Sequence, residues 1–479
     1  MKEKTFYITT PIFYPNARLH MGHAYTTTLT DILARYHRLI GDSTYFLTGS
    51  DENTQKMVDA AKKEGKEPLE FLDEIVSNFK NLYQGLEISY DQFIRTTDQG
   101  KHWPGAKLLW QKLVEAGDIY KKEYEGLYCV GHEAFITEKD LVDGKCPDHG
   151  TAPEFLKEEN YFFRLSKYKA QIKEKIESGE MAIVPETRKN EILSFLSQGL
   201  EDVSFSRPRK SDWPQGLGIP VPGDDDQVMY VWCDALVNYI TALGFGGDEE
   251  LYKKFWPVDV HVIGKDILRF HAAIWPGMLL SAGLPLPKKI LVHGFITSGG
   301  KKMSKTIGNV IDPNSLIQEY GAEAVRYHLA RHFSPFEDGD VTLESFKEIY
   351  NANLANGLGN LVSRIMKMAS DNLSGPVQIP EFEDMSAYFA YLEKFEINKA
   401  ADFIWNEISQ MDLFIQENQP FKLVKTDLEA GKKMIGELVV RLYSVARMLN
   451  PIMPETSAQI KELIKANKTP EKPLFARKE

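Results

Sequence analysis

The first fifty residues alternate between strand-like and helix-like patterns, and this alternation constrains the fold more than any other feature of the sequence. Residues 5–10 are β-branched and aromatic, and after a proline-containing turn Leu29, Leu33 and Tyr36 recur at helical spacing. A second strand-like run, residues 44–48, follows. A strand–helix–strand unit of this kind predicts a parallel sheet that binds ligands at the carboxyl ends of its strands.

The rest of the chain divides into regions with different patterns. Short segments with Gly-rich turns and paired Cys and His residues suggest an insertion, after which strand-like runs return at residues 228–232, 258–263 and 290–292. Beyond about residue 340 the patterns are long, amphipathic and helical. The predicted fold is α/β, with a Rossmann-type parallel-sheet catalytic domain split by a small insertion and followed by an α-helical bundle. The predicted parts are 1–117 (first half of the catalytic domain), 118–200 (connective insertion), 201–295 (second half), 296–345 (linker domain) and 346–479 (helical domain).

Cysteine usage and hydropathy predict a cytoplasmic protein with no membrane partner. The three cysteines, Cys129, Cys146 and Cys233, are too few for a disulfide framework in a chain of this length. The N-terminal apolar stretch is too short for a secretory signal, and residues 271–287 are too short for a membrane span. A net charge of -11 argues against general adhesion to nucleic acids, but basic clusters at residues 207–210 and 301–305 leave local binding open.

The string His20-Met21-Gly22-His23 stands between the first strand and its helix. A helix N-terminus there would present free N–H groups, and Gly22 would let a nucleotide approach the backbone. The two imidazoles are three residues apart and could donate to phosphate oxygens from one side of the helix. Ordinary helix capping is the alternative interpretation of such a pair.

A second basic string runs from Lys301 through Lys302, Met303, Ser304 and Lys305 to Thr306, between Gly299-Gly300 and Gly308. Closely spaced lysines on a glycine-flanked loop suit the β and γ phosphates of ATP, where charge moves during nucleotidyl transfer. A solvated lysine loop is the alternative. The chain contains no G-x-x-x-x-G-K-[ST] string, so the sequence excludes a P-loop.

Together, HMGH and KMSKT resemble the HIGH and KMSKS signatures of class I aminoacyl-tRNA synthetases, in the same order and at opposite ends of a split α/β domain. The resemblance implies an ATP-dependent ligase in which His20, His23, Lys302 and Lys305 are catalytic. It also assigns to ATP binding the residues Gly22, Asp266, Val292 and Lys305.

Within that class, nearly the whole chain resembles methionyl-tRNA synthetases, in stretches such as PIFYPN at residues 11–16, YVWCDA at 230–235 and GKDI at 264–267. The resemblance implies that Asp51 holds the substrate ammonium. It implies that the methionine side chain is surrounded by Ile12, Tyr14, Trp232, Ala235, Tyr239 and His271, with Phe270 and Trp275 close by.

The chemistry of these residue types agrees with that substrate. A carboxylate is the natural partner of an α-ammonium, and aromatic rings favour contact with a polarizable thioether sulfur. Ala235 and Tyr239 are four residues apart in a helix predicted to begin at Asp234, so they would share a face. For each aromatic residue, core packing is the alternative. Asp266 could cap a helix or bind the ribose of adenosine, and the two roles are compatible.

The insertion carries Cys129-x₂-His132 and, thirteen residues later, Cys146-x₂-His149. Two thiols and two imidazoles in two such pairs, each in a Gly- or Pro-containing turn, suit one tetrahedral structural Zn²⁺. The sequence therefore predicts a zinc knuckle in the insertion. A metal-free loop packed by its own turns is the alternative.

The resemblance also implies an anticodon site in the helical domain. Asn360 and Arg364 lie four residues apart, and Phe421 follows Pro420 after a later helix. The matching family positions read the CAU anticodon, with a tryptophan where this chain has Phe421. A phenyl ring can also stack on an unpaired base, although core packing in the helical bundle is an equal alternative for Phe421.

The predicted reaction joins methionine to ATP, as its Mg²⁺ complex, to give methionyl-adenylate, and then transfers methionine to the 2′-OH of tRNA(Met). One alternative is a related synthetase for leucine, valine or cysteine. The short insertion disfavours a branched-chain enzyme with its large editing domain, and a cysteine enzyme would place a zinc beside the pocket. Another alternative is a non-catalytic tRNA-binding protein of the same fold. Because no C-terminal dimerising appendage follows the helical region, the chain as it stands is predicted to be a monomer.

Overall fold

The computed structural model describes residues 4–129, 134–147, 150–210, 213–303, 309–380 and 384–479. Within these ranges Lys302 is described by its backbone alone. Three residues that the sequence assigns to sites, His132, His149 and Lys305, lie outside them.

The helices and strands follow one another in five groups. The first contains β1 (Thr5–Thr9), α1 (Met21–Leu39), β2 (Ser43–Ser50), α2 (Gln55–Lys63), α3 (Pro68–Gly85), β3 (Gln92–Arg95) and α4 (Trp103–Glu115). The second contains β4 (Ile119–Cys129), β5 (Ala134–Ile136), β6 (Glu154–Phe163), α5 (Lys169–Glu177), β7 (Ala182–Val184) and α6 (Glu186–Gln198). The third contains β8 (Val203–Ser204), β9 (Ser206–Pro208), β10 (Pro220–Val221), β11 (Asp224–Met229), α7 (Val231–Ala235), α8 (Asn238–Thr241), α9 (Glu250–Phe255), β12 (Val260–Gly264), α10 (Trp275–Ser281) and β13 (Lys289–His293). The fourth contains β14 (Ile296–Ser298), β15 (Lys301–Lys302), α11 (Pro313–Tyr320), α12 (Ala322–Arg331), β16 (Gly339–Asp340) and α13 (Leu343–Ile349). The fifth contains α14 (Asn360–Asn372), α15 (Ser386–Glu393), α16 (Ile397–Asn418), α17 (Pro420–Leu423), α18 (Leu428–Leu449) and α19 (Pro454–Ala466).

Six strands form one parallel sheet in the order β3-β2-β1-β12-β13-β7. The predicted Rossmann-type α/β architecture is confirmed, as is the helical C-terminal region. Strands from both sides of the insertion meet where β1 pairs with β12, and the strand order reverses there. Such a switch point opens a crevice outside the carboxyl ends of the strands. The edge strand β7 lies inside the range 118–200, so that range contains part of the parallel sheet.

The segment between β11 and α8 differs from the sequence prediction. The strand predicted for residues 228–232 ends at Met229, because Tyr230 is the N-cap of α7 and Trp232 lies in its first turn. Asp234, predicted to begin a helix, is instead buried near the end of α7, where its carboxylate pairs with other side chains. The prediction failed because a lone Asp in an apolar run has the same pattern whether it caps a helix or is buried.

A buried arginine of the linker domain joins the catalytic domain to the helical region. Arg326 of α12 is 0% exposed and contacts Asp31 of α1 at 2.7 Å. Its guanidinium also donates to the carbonyls of Leu86, Pro451 and Ile452. Because removing one partner of a buried pair typically costs about 3–5 kcal/mol, this contact holds α1 in a defined place against the helices. Among the residues that the structure covers, no helix is long and apolar enough to cross a membrane.

Candidate active site

A cavity of about 480 Å³ opens at the carboxyl ends of β1, β2, β12 and β13. It lies at the crevice that the strand order predicts. Its walls are formed by Pro11, Ile12, Phe13, Tyr14, Asn16, Ala17, Arg18, His20, Gly22, His23, Thr26, Asp51, Trp232, Ala235, Leu236, Asn238, Tyr239, Gly264, Asp266, Ile267, His271, His293, Gly294, Phe295, Ile296, Met303 and Val310.

Most residues that the sequence assigns to methionine or ATP meet in this one cavity. Those in its wall are Ile12, Tyr14, His20, Gly22, His23, Asp51, Trp232, Ala235, Tyr239, Asp266 and His271. Two assigned residues lie behind the wall. Phe270 stacks on Trp232, with ring centroids 3.7 Å apart, and Val292 is buried inside β13 next to His293.

His20 and His23 form a reciprocal cap at the start of α1. Nδ1 of His20 accepts the backbone N–H of Gly22 at 3.0 Å, and Nδ1 of His23 accepts the backbone N–H of His20 at 3.2 Å. Because both Nδ1 atoms accept, each neutral ring carries its proton on Nε2. The Nδ1 atoms cap the helix while the Nε2–H groups are the donors. Capping and phosphate binding, which the sequence offered as alternatives, are therefore compatible.

Burial keeps His23 neutral. Desolvation, together with the nearby His20, lowers the pKa of His23 well below its ordinary value of 6.5. A Cβ on Gly22 would come within 2.9 Å of Cε1 of His20, so this position must be glycine for the imidazole to fold over the helix start. The N-terminus of α1 thus offers neutral N–H donors that face the cavity without a fixed positive charge.

His293 is a wall residue that the sequence analysis missed. Its Nδ1 donates to the carbonyl of Gly294 at 2.7 Å, so its Nε2 accepts the hydroxyl of Thr26 at 2.8 Å. Burial lowers the pKa of His293, which keeps the ring neutral. Its position directly after a predicted strand was the available signal, since strand ends form the site in this architecture.

A buried hydrogen-bond chain fixes the opposite wall. Nδ1 of His271 donates to the carbonyl of Ile267 at 2.9 Å, so Nε2 accepts the hydroxyl of Tyr239 at 2.7 Å. Burial lowers the pKa of His271 to about 4, which leaves the ring neutral at physiological pH. Asp51 lies in the same cavity wall, is 2% exposed and holds its turn through a backbone bond to Phe13.

Aromatic rings form the apolar end of the cavity. Trp232 lies flat on Phe270, with 9° between the ring planes, and meets the edge of His271. Trp275 is fully buried and backs Tyr239, with ring centroids 6.1 Å apart. This part of the wall is therefore preformed, because the rings of Trp232 and Tyr239 each rest on another ring.

The lysine string borders the cavity through Met303, which is 7% exposed and lies in the wall. Just before it, Lys302 pairs with Thr297 in the β14–β15 ribbon. The structure therefore brings Met303 to the same cavity as His20 and His23, while Lys305 lies outside the described residues.

The predicted zinc ligands are described only in part. Cys129 ends β4, Cys146 lies in the turn before β6, and both side chains are 1% exposed. His132 and His149 lie outside the described residues. Within the described ranges no group of three or more His, Cys, Asp or Glu residues could hold a metal ion.

The predicted anticodon residues lie on the surface of the helical region. Asn360 is exposed at the start of α14, and Arg364 forms an ion pair with Asp412 of α16. Phe421, in α17, is 43% exposed. That exposure rules out core packing as its role and leaves the ring accessible.

Comparison with known proteins places the chain among tRNA synthetases. The profile of the family described as tRNA synthetases class I (M) matches residues 6–152 and 140–366. The chain is 45% identical over 478 residues to the methionine--tRNA ligase of Clostridium acetobutylicum, covering 96% of this chain and 73% of that protein. It is 40% identical over 488 residues to the Thermotoga maritima ligase, covering 98% and 76%.

Solved structures give the same result. The Mycobacterium tuberculosis methionyl-tRNA synthetase in complex with methionyl-adenylate superposes with a TM-score of 0.90 at 37% identity, covering 99% of this chain and 100% of that chain. The free-state structure of that enzyme gives a TM-score of 0.84 at 35% identity, covering 100% and 99%.

Proposed function

This chain belongs to the methionine--tRNA ligases within the class I tRNA synthetases, and from that premise we propose how its cavity and helical surface divide the work of the reaction. The enzyme activates methionine with ATP to methionyl-adenylate and transfers the methionyl group to tRNA(Met). The observation that carries the proposal is the convergence of Asp51, the aromatic wall and the His20–His23 pair on one cavity.

Methionine occupies the end of the cavity between Asp51 and the aromatic wall. The Asp51 carboxylate binds the α-ammonium, an interaction that is strong because the site is buried. Ile12, Tyr14, Ala235 and His271 enclose the side chain with Trp232 and Tyr239, while Phe270 acts from behind Trp232. The thioether sulfur gains favourable contact with ring edges and faces.

ATP occupies the end of the cavity next to α1. Nε2–H of His20 and of His23 donates to oxygens of the α-phosphate, Gly22 keeps the approach open, and Asp266 binds the ribose. Val292 does not line the cavity. It contributes only as the residue of β13 that precedes His293, which lies beside the nucleotide. Lys302 and Lys305 bind the β and γ phosphates, a role supported by the position in the cavity wall of Met303, the residue after Lys302 in the chain.

In the chemical step the methionine carboxylate attacks the α-phosphorus in line. A bond forms between a carboxylate oxygen and that phosphorus, the bond to the bridging oxygen of the β-phosphate breaks, and pyrophosphate leaves with its Mg²⁺. No protein nucleophile takes part, so the protein contributes position and electrostatic stabilisation. The 2′-OH of the terminal adenosine of tRNA then attacks the acyl carbon, and AMP leaves.

The helical region reads the anticodon. Asn360 and Arg364 supply amide and guanidinium groups for base edges, and the exposed ring of Phe421 stacks on an unpaired base. Arg364 exchanges its contact with Asp412 for the RNA when tRNA binds. We propose a division of the chain at residues 117, 200, 295 and 345, with β7 of the range 118–200 joining the parallel sheet. We also propose that the enzyme acts as a monomer in the cytoplasm.

The insertion holds one structural Zn²⁺ between Cys129, His132, Cys146 and His149. Two buried thiols at a strand end and in a glycine turn fit the donor chemistry of a tetrahedral site. Elemental analysis should find about one zinc per chain. The metal should be lost in Cys146→Ser and retained in Cys233→Ser, a matched variant of a buried cysteine elsewhere in the molecule. Equal zinc in both variants contradicts the site.

The proposed function is tested by amino-acid-dependent exchange of pyrophosphate into ATP, run separately with each of the twenty amino acids. Methionine alone should support rapid exchange. A stronger response to leucine, valine or cysteine would assign the pocket to another substrate, and no response to any amino acid would indicate a non-catalytic tRNA-binding protein.

A further inference from the structure

Behind the methionine end of the cavity lies a buried polar network that the reaction itself does not use. Its members are Asn53, Asp234 and His102, which are 3%, 0% and 0% exposed. None of the three lies in the wall of the 480 Å³ cavity. Asn53 and Asp234 are nevertheless within two residues of wall residues, and His102 is bonded to Asp234 and to Thr241.

Asn53 connects the turn that carries Asp51 to the rest of the network. Its Nδ2 donates to the carbonyl of Thr96 at 3.0 Å and to Oδ2 of Asp234 at 2.6 Å. Its Oδ1 accepts the backbone N–H of Gly218 at 2.9 Å. Since Asn53 follows Asp51 by two residues, these three bonds fix the position of the Asp51 turn.

Asp234 and His102 connect the network to the opposite wall. Asp234 lies in α7 between the wall residues Trp232 and Ala235, and its Oδ1 is 2.6 Å from Nε2 of His102. Nδ1 of His102 is 2.8 Å from the hydroxyl of Thr241 in α8. A buried carboxylate is tolerated only when such partners satisfy it, so α7 is held where these bonds place it.

The two walls joined in this way bind opposite ends of one substrate. Asp51 takes the α-ammonium, and the wall from Trp232 to Tyr239 takes the end of the side chain. The separation of the walls therefore determines which side-chain length fits. A hydrophobic pocket discriminates between substrates that differ by one methylene by about 10- to 200-fold in kcat/KM. A small change in the separation of the walls should therefore alter this discrimination measurably.

We propose that Asn53, Asp234 and His102 are positioning residues that fix the distance between Asp51 and the Trp232–Ala235 wall, and that this distance sets the affinity for methionine and the rejection of longer and shorter thioether amino acids. This inference rests on the proposed placement of methionine. A network that served stability alone would leave substrate selection unchanged when altered.

The decisive variant is Asn53→Asp, which sets a second carboxylate against Asp234 where an amide donor stood. In the exchange assay, KM for methionine should rise about tenfold while KM for ATP changes less than about twofold. The preference for methionine over ethionine, and over S-methylcysteine, measured as the ratio of kcat/KM values, should fall about tenfold.

The double variant Asn53→Asp with Asp234→Asn exchanges the amide and the carboxylate and restores the hydrogen bond between the two positions, while the carbonyl of Thr96 loses the donor that Asn53 supplied. KM for methionine should return to within about threefold of the unmodified enzyme. Asn53→Ser removes the bonds without adding charge and should raise KM for methionine by about threefold. If Asn53→Asp does not fold, the KM of Asn53→Ser tests the inference in its place.

Asp118→Asn is the matched control. Asp118 is another buried carboxylate, bonded to Lys167, Tyr168 and Ser281 and absent from the cavity wall. It should lower the melting temperature without changing KM for methionine. If Asn53→Asp lowers only stability or the active fraction, with KM and the ethionine ratio unchanged, the inference is wrong. If Asn53→Asp gives that negative result while Asp51→Asn loses methionine binding, only this inference fails and the proposed methionine site stands.

Discussion

The cavity and the proposed anticodon surface, formed by Asn360, Arg364 and Phe421, are built in opposite ways. In the cavity, wall residues such as Asp51, Tyr239 and His271 are at most 2% exposed and are held by bonds to other buried groups. On the helical surface, Phe421 is 43% exposed and Arg364 is held by one ion pair that is itself partly exposed. The cavity can enclose a small substrate, whereas the surface proposed for the anticodon is accessible to a large RNA.

This difference implies two separable activities. Exchange of pyrophosphate into ATP needs only the enclosed cavity, whereas charging of tRNA needs both regions. Changes in the cavity should therefore reduce both activities by a large factor, because buried charges and donors are lost without replacement. Changes on the surface should reduce charging alone and by less, because water can replace a lost contact.

The largest effect is expected for Asp51→Asn. Leaving the substrate ammonium buried without its counter-charge costs about 2–5 kcal/mol, so KM for methionine should rise by about 30- to 4,000-fold in the exchange assay. KM for ATP should stay nearly constant. Glu462→Gln, a carboxylate-to-amide change at a side chain that is 74% exposed on α19, should have no effect on either constant. An unchanged KM for methionine in Asp51→Asn would remove Asp51 from the site.

The next largest effect is expected for His20→Asn, which separates capping from phosphate binding. Asparagine is a good helix N-cap, so α1 should keep its start and the melting temperature should change little. The Nε2–H donor is lost, and kcat for exchange should fall about 10²-fold, as for removal of one donor from a developing anionic centre. Wild-type exchange in this variant would show that His20 only caps the helix.

A smaller effect, confined to charging, is expected for Phe421→Ala. Base stacking is worth about 1–3 kcal/mol, so kcat/KM for tRNA should fall about tenfold or more, while exchange without tRNA is unchanged. Phe421→Trp should equal or exceed the unmodified enzyme because it offers more stacking area. Leu343→Ala, at another exposed apolar side chain, should not affect charging. A fall in exchange for Phe421→Ala would break the separation between the two regions.

The smallest effect concerns pH and involves one histidine in the cavity and one in the linker domain. Burial lowers the pKa of His271 in the cavity to about 4 and that of His328 in α12 to about 3, from an ordinary value of 6.5. Below pH 6.5 the unfolded chain therefore binds more protons, and stability falls as the pH decreases toward those values. Each buried histidine contributes about 1.4 kcal/mol per pH unit to that slope.

His328→Leu tests this account, because Nδ1 of His328 is buried and has no hydrogen-bond partner among the described residues. Urea unfolding at pH 7, 6 and 5 should show a smaller loss of stability with falling pH in the variant than in the unmodified enzyme. An equal slope in both would mean that His328 does not titrate as its burial indicates.

The sequence predicted the parts of the molecule whose patterns are local. The strands around residues 5–10 and 290–292, the helix after His20 and the amphipathic helices of the C-terminal region appear near their predicted places. The HMGH string was predicted to lie between the first strand and its helix; only His20 precedes α1, as its N-cap, and Met21, Gly22 and His23 form the first turn of the helix. The reciprocal bonds of His20 and His23 also follow from their spacing at a helix start.

Non-local features could not be predicted in the same way. His293 and Thr26 are 267 residues apart in the chain, and no local pattern links them. Asp234 was assigned to a helix start, yet it is buried against Asn53 and His102 from distant segments. Phe421 was undecided between core and surface, since one ring after a proline fits both, and only the packed helices show that it is exposed.

The most direct test of the account is a crystal structure of the enzyme with a non-hydrolysable analogue of methionyl-adenylate. We expect the ammonium of the analogue to lie about 3 Å from the Asp51 carboxylate, with Nε2 of His20 and of His23 at similar distances from the group that replaces the phosphate. An analogue bound with its ammonium away from Asp51, or with its phosphate mimic in a cavity that the two histidines do not line, would contradict it.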